Sequence, residues 1–331
     1  MTAVPMVELW RGGRLESSHL GHAVICNAEG EVIQAWGDAD AVIFPRSACK
    51  MVQALPLIES GAADAAGLTE RQVAFSCASH MGAALHRQAA ADWLAGLGLG
   101  EADLRCGAHE PSDKTERTRL AVDHEAPCQL HNNCSGKHSG FLTMNRHLKG
   151  GPDYTEIDHP LQVAIKQAFE EATGENSPGW GIDGCSAPNF ATSVTGLARA
   201  MGRFAGARDT GDLRSRAMHR LTRAMADHPE MISGEGGTCT ELMRAMGGRV
   251  TLKGGAEGVY IAILPEKRLG VALKIVDGSD RAKDAAITAL LIWLRELSAD
   301  HPAAQRWLTG PQRNWRGLAA AQLQTAPGFP V

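Results

Sequence analysis

The chain has 331 residues, enough for one large or two ordinary domains and for a substantial core. With 44% apolar and 21% charged residues it falls outside the disordered, collagen-like and coiled-coil classes. Lys+Arg number 33 against 37 Asp+Glu, and the net charge of −4 argues against nucleic acid or an anionic membrane as the main partner.

Residues 6–10, 20–27 and 31–36 are short Val- and Ile-rich runs separated by turn residues such as Asn27-Ala-Glu-Gly30, a pattern that predicts an antiparallel meander. Val42-Ile43-Phe44 reads as another short strand, and Pro45 then opens an apolar helix over 47–60. Helix-period apolar residues follow at 85–98, 159–173, 194–206 and 213–228. Strand-like runs return at 249–253, 258–264 and 269–276, joined by Gly-Gly-Ala-Glu and Pro-Glu-Lys-Arg turns, and a last helix is expected at 280–298. Ala285–Leu294, the most apolar stretch, has about half the length that spans a bilayer and reads as a buried helix.

No linker or repeat divides the chain. The simplest architecture is α/β of the α+β type, one catalytic unit over residues 1–331. Its antiparallel sheet comes from 6–36 and 249–276, its helical insertion from 47–230, and a C-terminal helix and tail occupy 280–331. The tail beyond 300, with Trp307 and Trp315, matches no motif and is expected at the surface or at a subunit contact.

Eight cysteines are scattered without a C-x-x-C pair, and Met1–Glu8 shows no basic-then-apolar leader pattern. The expectation is a cytoplasmic protein with reduced thiols.

Pro45-Arg46-Ser47-Ala48-Cys49-Lys50 contains the pattern S-x-x-K, which puts Ser47 and Lys50 on one helix face. A neutral lysine there takes the proton of a serine hydroxyl and makes a nucleophile without histidine. The same pattern occurs in serine β-lactamases and penicillin-binding proteins, whose companion elements are a second serine and a K-T-G strand. Ser79 in Ser76-Cys-Ala-Ser-His80 and Lys253-Gly254-Gly255 stand in the matching chain order. Alone, such a four-residue pattern is as readily an ordinary surface helix, with Lys253 an edge-strand lysine.

A second constellation joins His131-Asn-Asn-Cys134-Ser-Gly-Lys137-His138 to Asp183-Gly-Cys185-Ser-Ala-Pro-Asn-Phe190, both read as loops. By spacing, Cys134, His138 and Cys185 are zinc-ligand candidates; the bland alternative is two small buried hydrophobes. Gly96-Leu-Gly-Leu-Gly100 follows a helix and lacks the third spaced glycine, so it is no dinucleotide loop. His80, His86, His109 and His124 read as surface or satisfied core histidines, and Met231, Met243 and Met246 as core filler.

Taken together, Pro45–Lys50, Ser76–Gly82, Asn132-Asn-Cys-Ser-Gly-Lys-His138, Asp183-Gly-Cys-Ser-Ala-Pro-Asn189 and Lys253-Gly-Gly-Ala-Glu-Gly258 resemble the rhizobial-type (class 3, asparaginase II-like) L-asparaginase family over about residues 6–295. The resemblance implies a serine β-lactamase-like fold, a homodimer, and hydrolysis of L-asparagine to L-aspartate and ammonia. It pairs Ser47 with Lys50 and Ser79 with Lys253 as catalytic residues. Cys134, Lys137 and Cys185 become the ligands of one Zn2+ per subunit, lysine replacing the histidine that spacing suggested. His138 and Asp183 then join Arg46 and Gly254 as substrate-contacting candidates, and the other six cysteines become buried thiols. Gly254 stands where the lactamase pattern has Thr, which removes a hydroxyl from that position. A glutaminase, a β-lactamase or D-peptidase-like hydrolase, and a non-catalytic zinc- or ligand-binding protein are the alternatives.

Overall fold

Leu269–Ile275 from the C-terminal strand group pairs antiparallel with Arg14–Asn27 from the N-terminal one, Val271 opposite Ile25 and Leu273 opposite Ala23. This joins the two groups into one sheet, as the sequence pattern predicts. The computed structural model describes residues 2–330, and the chain divides into two compact units.

The first unit comprises Met1–Ala48, Thr192–Gly206 and Glu241–Val331. Its eight-stranded sheet runs Pro311–Arg313, Ala319–Thr325, Val4–Arg11, Arg14–Asn27, Leu269–Ile275, Val259–Leu264 and Thr251–Gly254, with Val32–Trp36 also paired to Arg14–Asn27. All pairings are antiparallel. The turn residues act as read: Gly30 N–H bonds the Asn27 carbonyl at 3.0 Å, and Arg268 N–H bonds that of Pro265 at 3.1 Å. Every residue of Val259–Leu264 is buried, the signature of a strand covered on both faces. Helices Val194–Gly206 and Asp280–Trp293 pack on this part of the sheet. The second presents Ala282, Ala285, Ala286, Ala289 and Leu290, a stripe at helical spacing.

The tail lies at the surface over Pro311–Arg313, as expected, but it also belongs to the sheet. It adds two strands to the sheet, Ala319–Thr325 lying against Val4–Arg11 with Leu323 opposite Leu9. Phe329 closes edge-on against Trp36, ring centroids 5.4 Å apart. Trp315 is fully exposed, while Trp307 donates its indole N–H to Glu241 at 2.8 Å.

The second unit, Cys49–Ala191 with Ala207–Thr240, is mainly helical. Its axis is Ser135–Leu148, buried continuously from Ser135 to Asn145. Helices Leu55–Glu59, Glu70–Ser76, Ala84–Gly96 and Pro160–Thr173 pack round it, and Trp93 of one donates to Thr143 Oγ1 at 3.0 Å. The region read as loop from His131 to His138 is thus largely the start of this helix. Small residues there, Ser135, Gly136, Ser139 and Gly140, let neighbouring backbones approach and weaken the apolar pattern that would have revealed it. Asp183–Phe190 is a hairpin, Trp180–Ile182 paired with Pro188–Phe190. Among the described residues no helix is long and apolar enough to cross a membrane.

Candidate active site

In the first unit, Ser47 sits in the 3-10 turn Arg46–Cys49, which runs straight into the helix Lys50–Gln53. Arg46 just before it has φ +51, a left-handed conformation uncommon for a side-chain-bearing residue. The strand Thr251–Gly254 ends beside this turn. Gly255 lies so close that a Cβ there would stand 2.8 Å from the Pro45 carbonyl oxygen and 3.0 Å from the Ala48 nitrogen. The glycine therefore lets Lys253-Gly254 run along the serine-bearing segment. Lys253 is buried and donates to the Gly254 carbonyl at 2.7 Å. Lys283 ties the Gly255 carbonyl at 2.8 Å, and Arg46 lies 4.0 Å from the exposed Glu257 carboxylate.

In the second unit a chain of four groups carries the other candidates. Lys50, 1% exposed, donates its Nζ protons to Ser79 Oγ at 2.9 Å, to Cys134 Sγ at 3.1 Å and to the Ala78 carbonyl. Cys134 lies in hydrogen-bond reach of Cys185, and Cys185 Sγ accepts from Lys137 Nζ at 2.9 Å. Cys134 and Lys137 come together because one precedes and one opens the same helix, a turn apart, while Cys185 is brought in by the hairpin.

The electrostatics of Cys134, Lys137 and Cys185 are unequal. A hydrogen bond from Cys134, with the Lys137 charge behind it, holds the Cys185 thiol well below the ordinary thiol range despite burial. The same bond and burial push Cys134 well above it. Burial pulls the Lys137 ammonium down, but the two sulfurs outweigh it and its pKa is raised. The arrangement is a buried thiolate–ammonium pair with a second thiol donating to the thiolate. Such a set suits a soft divalent cation, since one ligand is already deprotonated and a metal would displace the remaining protons. Among the described residues no group of three or more His, Cys, Asp and Glu side chains could hold a metal, so Lys137 would have to serve as the neutral third ligand.

His138 is buried, its Nδ1 2.8 Å from Tyr154 Oη. Burial lowers its pKa against the opposing pull of Cys185. Asp183 sits at the hairpin turn, where its carboxylate accepts from Gly184 N–H at 2.8 Å. Sequence reasoning missed Tyr154 as the partner of His138; a buried Tyr needs a polar partner, but no spacing rule names which one.

Residues 7–325 match the profile of the L-asparaginase II family. The chain belongs to that family. No curated protein matches it. Among solved structures, Mglu in its tris and glutamate form aligns at 14% identity and TM-score 0.47, over 85% of this chain and 60% of that one. A β-lactamase from Mycobacterium bovis aligns at 13% identity and TM-score 0.45, over 84% and 95%. The chain therefore spans less than two thirds of the length of Mglu.

In this L-asparaginase II family chain none of the eight cysteines is in a disulfide. Burial raises Cys26 to about 11, and Cys49 and Cys106 to about 12, as expected of inert core thiols. Cys128 departs from the expected pattern, being partly exposed. Of the histidines, His80 and His86 are core residues stacked at 4.7 Å. His80 is satisfied on both nitrogens, but His86 Nδ1 is buried without a partner. Met231, Met243 and Met246 are core residues, as read.

Proposed function

We propose that the protein hydrolyses the side-chain amide of L-asparagine to L-aspartate and ammonia through a serine ester. The observation that carries this reading is the buried Lys50 amine held 2.9 Å from Ser79 Oγ, in a chain of the L-asparaginase II family.

In this mechanism Lys50, once freed of one of its Nζ protons, takes the proton of Ser47 Oγ as that oxygen attacks the amide carbon. Ser79, bonded to Lys50, and Lys253 relay protons to the departing ammonia and later from the attacking water. The oxyanion is met by the Ser47 backbone N–H at the start of its helical turn. Arg46 offsets the substrate carboxylate, His138 and Asp183 contact the amino-acid head group, and Gly254 keeps the strand edge open to it. Cys134, Lys137 and Cys185 would hold one zinc ion per subunit. When bound, the ion supplies a Lewis-acid anchor for substrate oxygen or nitrogen. The reading includes a homodimer.

The test is ammonia release by the full chain from L-asparagine, L-glutamine and, as a ring-opening comparison, a chromogenic β-lactam. Release from asparagine at least about tenfold faster than from glutamine supports the reading. Turnover of the β-lactam alone, or zinc binding without turnover of any amide, overturns it.

A further inference from the structure

Within the second unit a separate side-chain cluster is built round Cys128, a partly exposed residue. Cys128 Sγ lies 3.2 Å from His131 Nδ1, and His131 Nε2 lies 3.2 Å from Glu116 Oε1. The tautomer is set by a third bond, because the Cys128 backbone N–H donates to the same Nδ1 at 3.1 Å. Nδ1 is therefore the acceptor nitrogen, and Nε2 carries the proton given to the carboxylate. Glu116 is itself locked: the same oxygen accepts from Arg87 at 3.1 Å and Arg119 at 3.0 Å. Both His131 and Glu116 are 3% exposed. Each of the other seven cysteines is buried.

We propose that Cys128, His131 and Glu116 form a base-activated thiol site that reacts with small disulfides. A thiol hydrogen-bonded to an imidazole whose far nitrogen is oriented by a carboxylate has the geometry of an activated nucleophile. Cys128 Sγ–H passes its proton to His131 Nδ1, which gives up its bond to the Cys128 N–H as it does so, and the thiolate attacks one sulfur of R–S–S–R. The new Sγ–S bond forms as the S–S bond breaks, and the leaving thiolate takes the proton from His131. The products are a mixed disulfide on Cys128 and one R–SH, with the disulfide as the only oxidant. Glu116 is a positioning residue, since it touches only the imidazole. The site is independent of the amide chemistry proposed above.

The test uses the folded full chain and 5,5′-dithiobis(2-nitrobenzoate), itself an aromatic disulfide. One fast-reacting thiol is expected, absent in Cys128→Ser and slowed at least about tenfold in His131→Gln, which must still show all its thiols after unfolding. A fast phase that persists in Cys128→Ser, or an undiminished rate in folded His131→Gln, overturns the proposal. Where His131→Gln does not fold, the rate of the unaltered chain is compared with that of free glutathione at the same pH: a faster reaction is expected, and a rate at or below that of glutathione overturns the proposal. The charged and titratable groups facing the site are Glu116, Arg87 and Arg119, with Glu101 on the Gln129 N–H and His80 on the neighbouring loop.

Discussion

Adding one methyl group at Gly255 separates the serine-bearing turn from the Lys253 strand without touching either side chain. The Cβ of Gly255→Ala would lie 2.8 Å from the Pro45 carbonyl oxygen, 3.0 Å from the Ala48 nitrogen and 3.3 Å from the Ala48 Cβ. Both closest atoms are backbone, so no side-chain rotation relieves the contact. Reaching ordinary separation, from 2.8 to 3.4 Å, moves the two segments apart by about 0.6 Å. Overpacking of this kind costs about 1–3 kcal/mol, offset by the roughly 0.4–1 kcal/mol that alanine gains by restricting the unfolded chain. For catalysis the displacement matters more, because a misplacement of about 1 Å costs on the order of 100-fold. The expected result is a loss of about tenfold or more in kcat for ammonia release with a melting temperature lower by at most a few degrees. Gly254→Ala is the control for stability: its Cβ would meet the Tyr260 ring at 3.4 Å, an ordinary contact, and its melting temperature should not move. If Gly255→Ala is both as stable and as active as the unaltered chain, the role given to this close approach is refuted.

Removing the thiolate in Cys185→Ala strands the buried Lys137 ammonium, and should cost about 3–5 kcal/mol in urea unfolding; Lys137→Met in the same background should restore part of the loss, and no restoration contradicts the pairing. Zinc titrated into the protein in weak buffer should release protons, since the Cys134 thiol and the Lys137 ammonium both lie protonated at neutral pH; zinc binding without proton release contradicts that ligand set. Stability should fall on acidification below about pH 6.5. Burial first, then neighbouring charges, lowers His80, and burial lowers His86. The unfolded chain then binds protons at its ordinary histidine pKa of about 6.5 that the folded chain refuses. Each ring thus removes up to about 1.4 kcal/mol per pH unit as pH falls below that value. Urea midpoints from pH 7 to pH 5 check the sign, and His86→Leu should flatten the slope by about one proton.

The sheet was legible because its strands carry the apolar runs and turn residues that fix antiparallel pairing, and because the Pro-Glu-Lys-Arg turn closes locally; Val42–Ile43 pairs outside it, with Thr192–Ser193. The tail strands were not legible. Ala319–Thr325 is mostly alanine and glutamine, and its strand state comes from pairing with Val4–Arg11, a contact made across the whole length of the chain. The helix Ser135–Leu148 was hidden by burial on all sides, which erases amphipathic period. For the site, motif order named Ser47, Lys50, Ser79 and Lys253, but spacing could not assign partners. Lys50 is bonded to Ser79 and Cys134, residues 29 and 84 positions away, and only the fold brings them to one amine. The Cys128, His131 and Glu116 cluster was equally silent, because its carboxylate comes from the separate helix Lys114–Asp123.

The central claim is that a serine activated by a buried lysine hydrolyses an amide. It is tested most directly by steady-state ammonia release from L-asparagine, comparing the unaltered chain with Lys50→Met. The account predicts turnover by the unaltered chain and a loss of about 100-fold or more in kcat/KM in the variant, with the fold retained. Retention of near-normal turnover in folded Lys50→Met, or no ammonia from the unaltered chain, would contradict it.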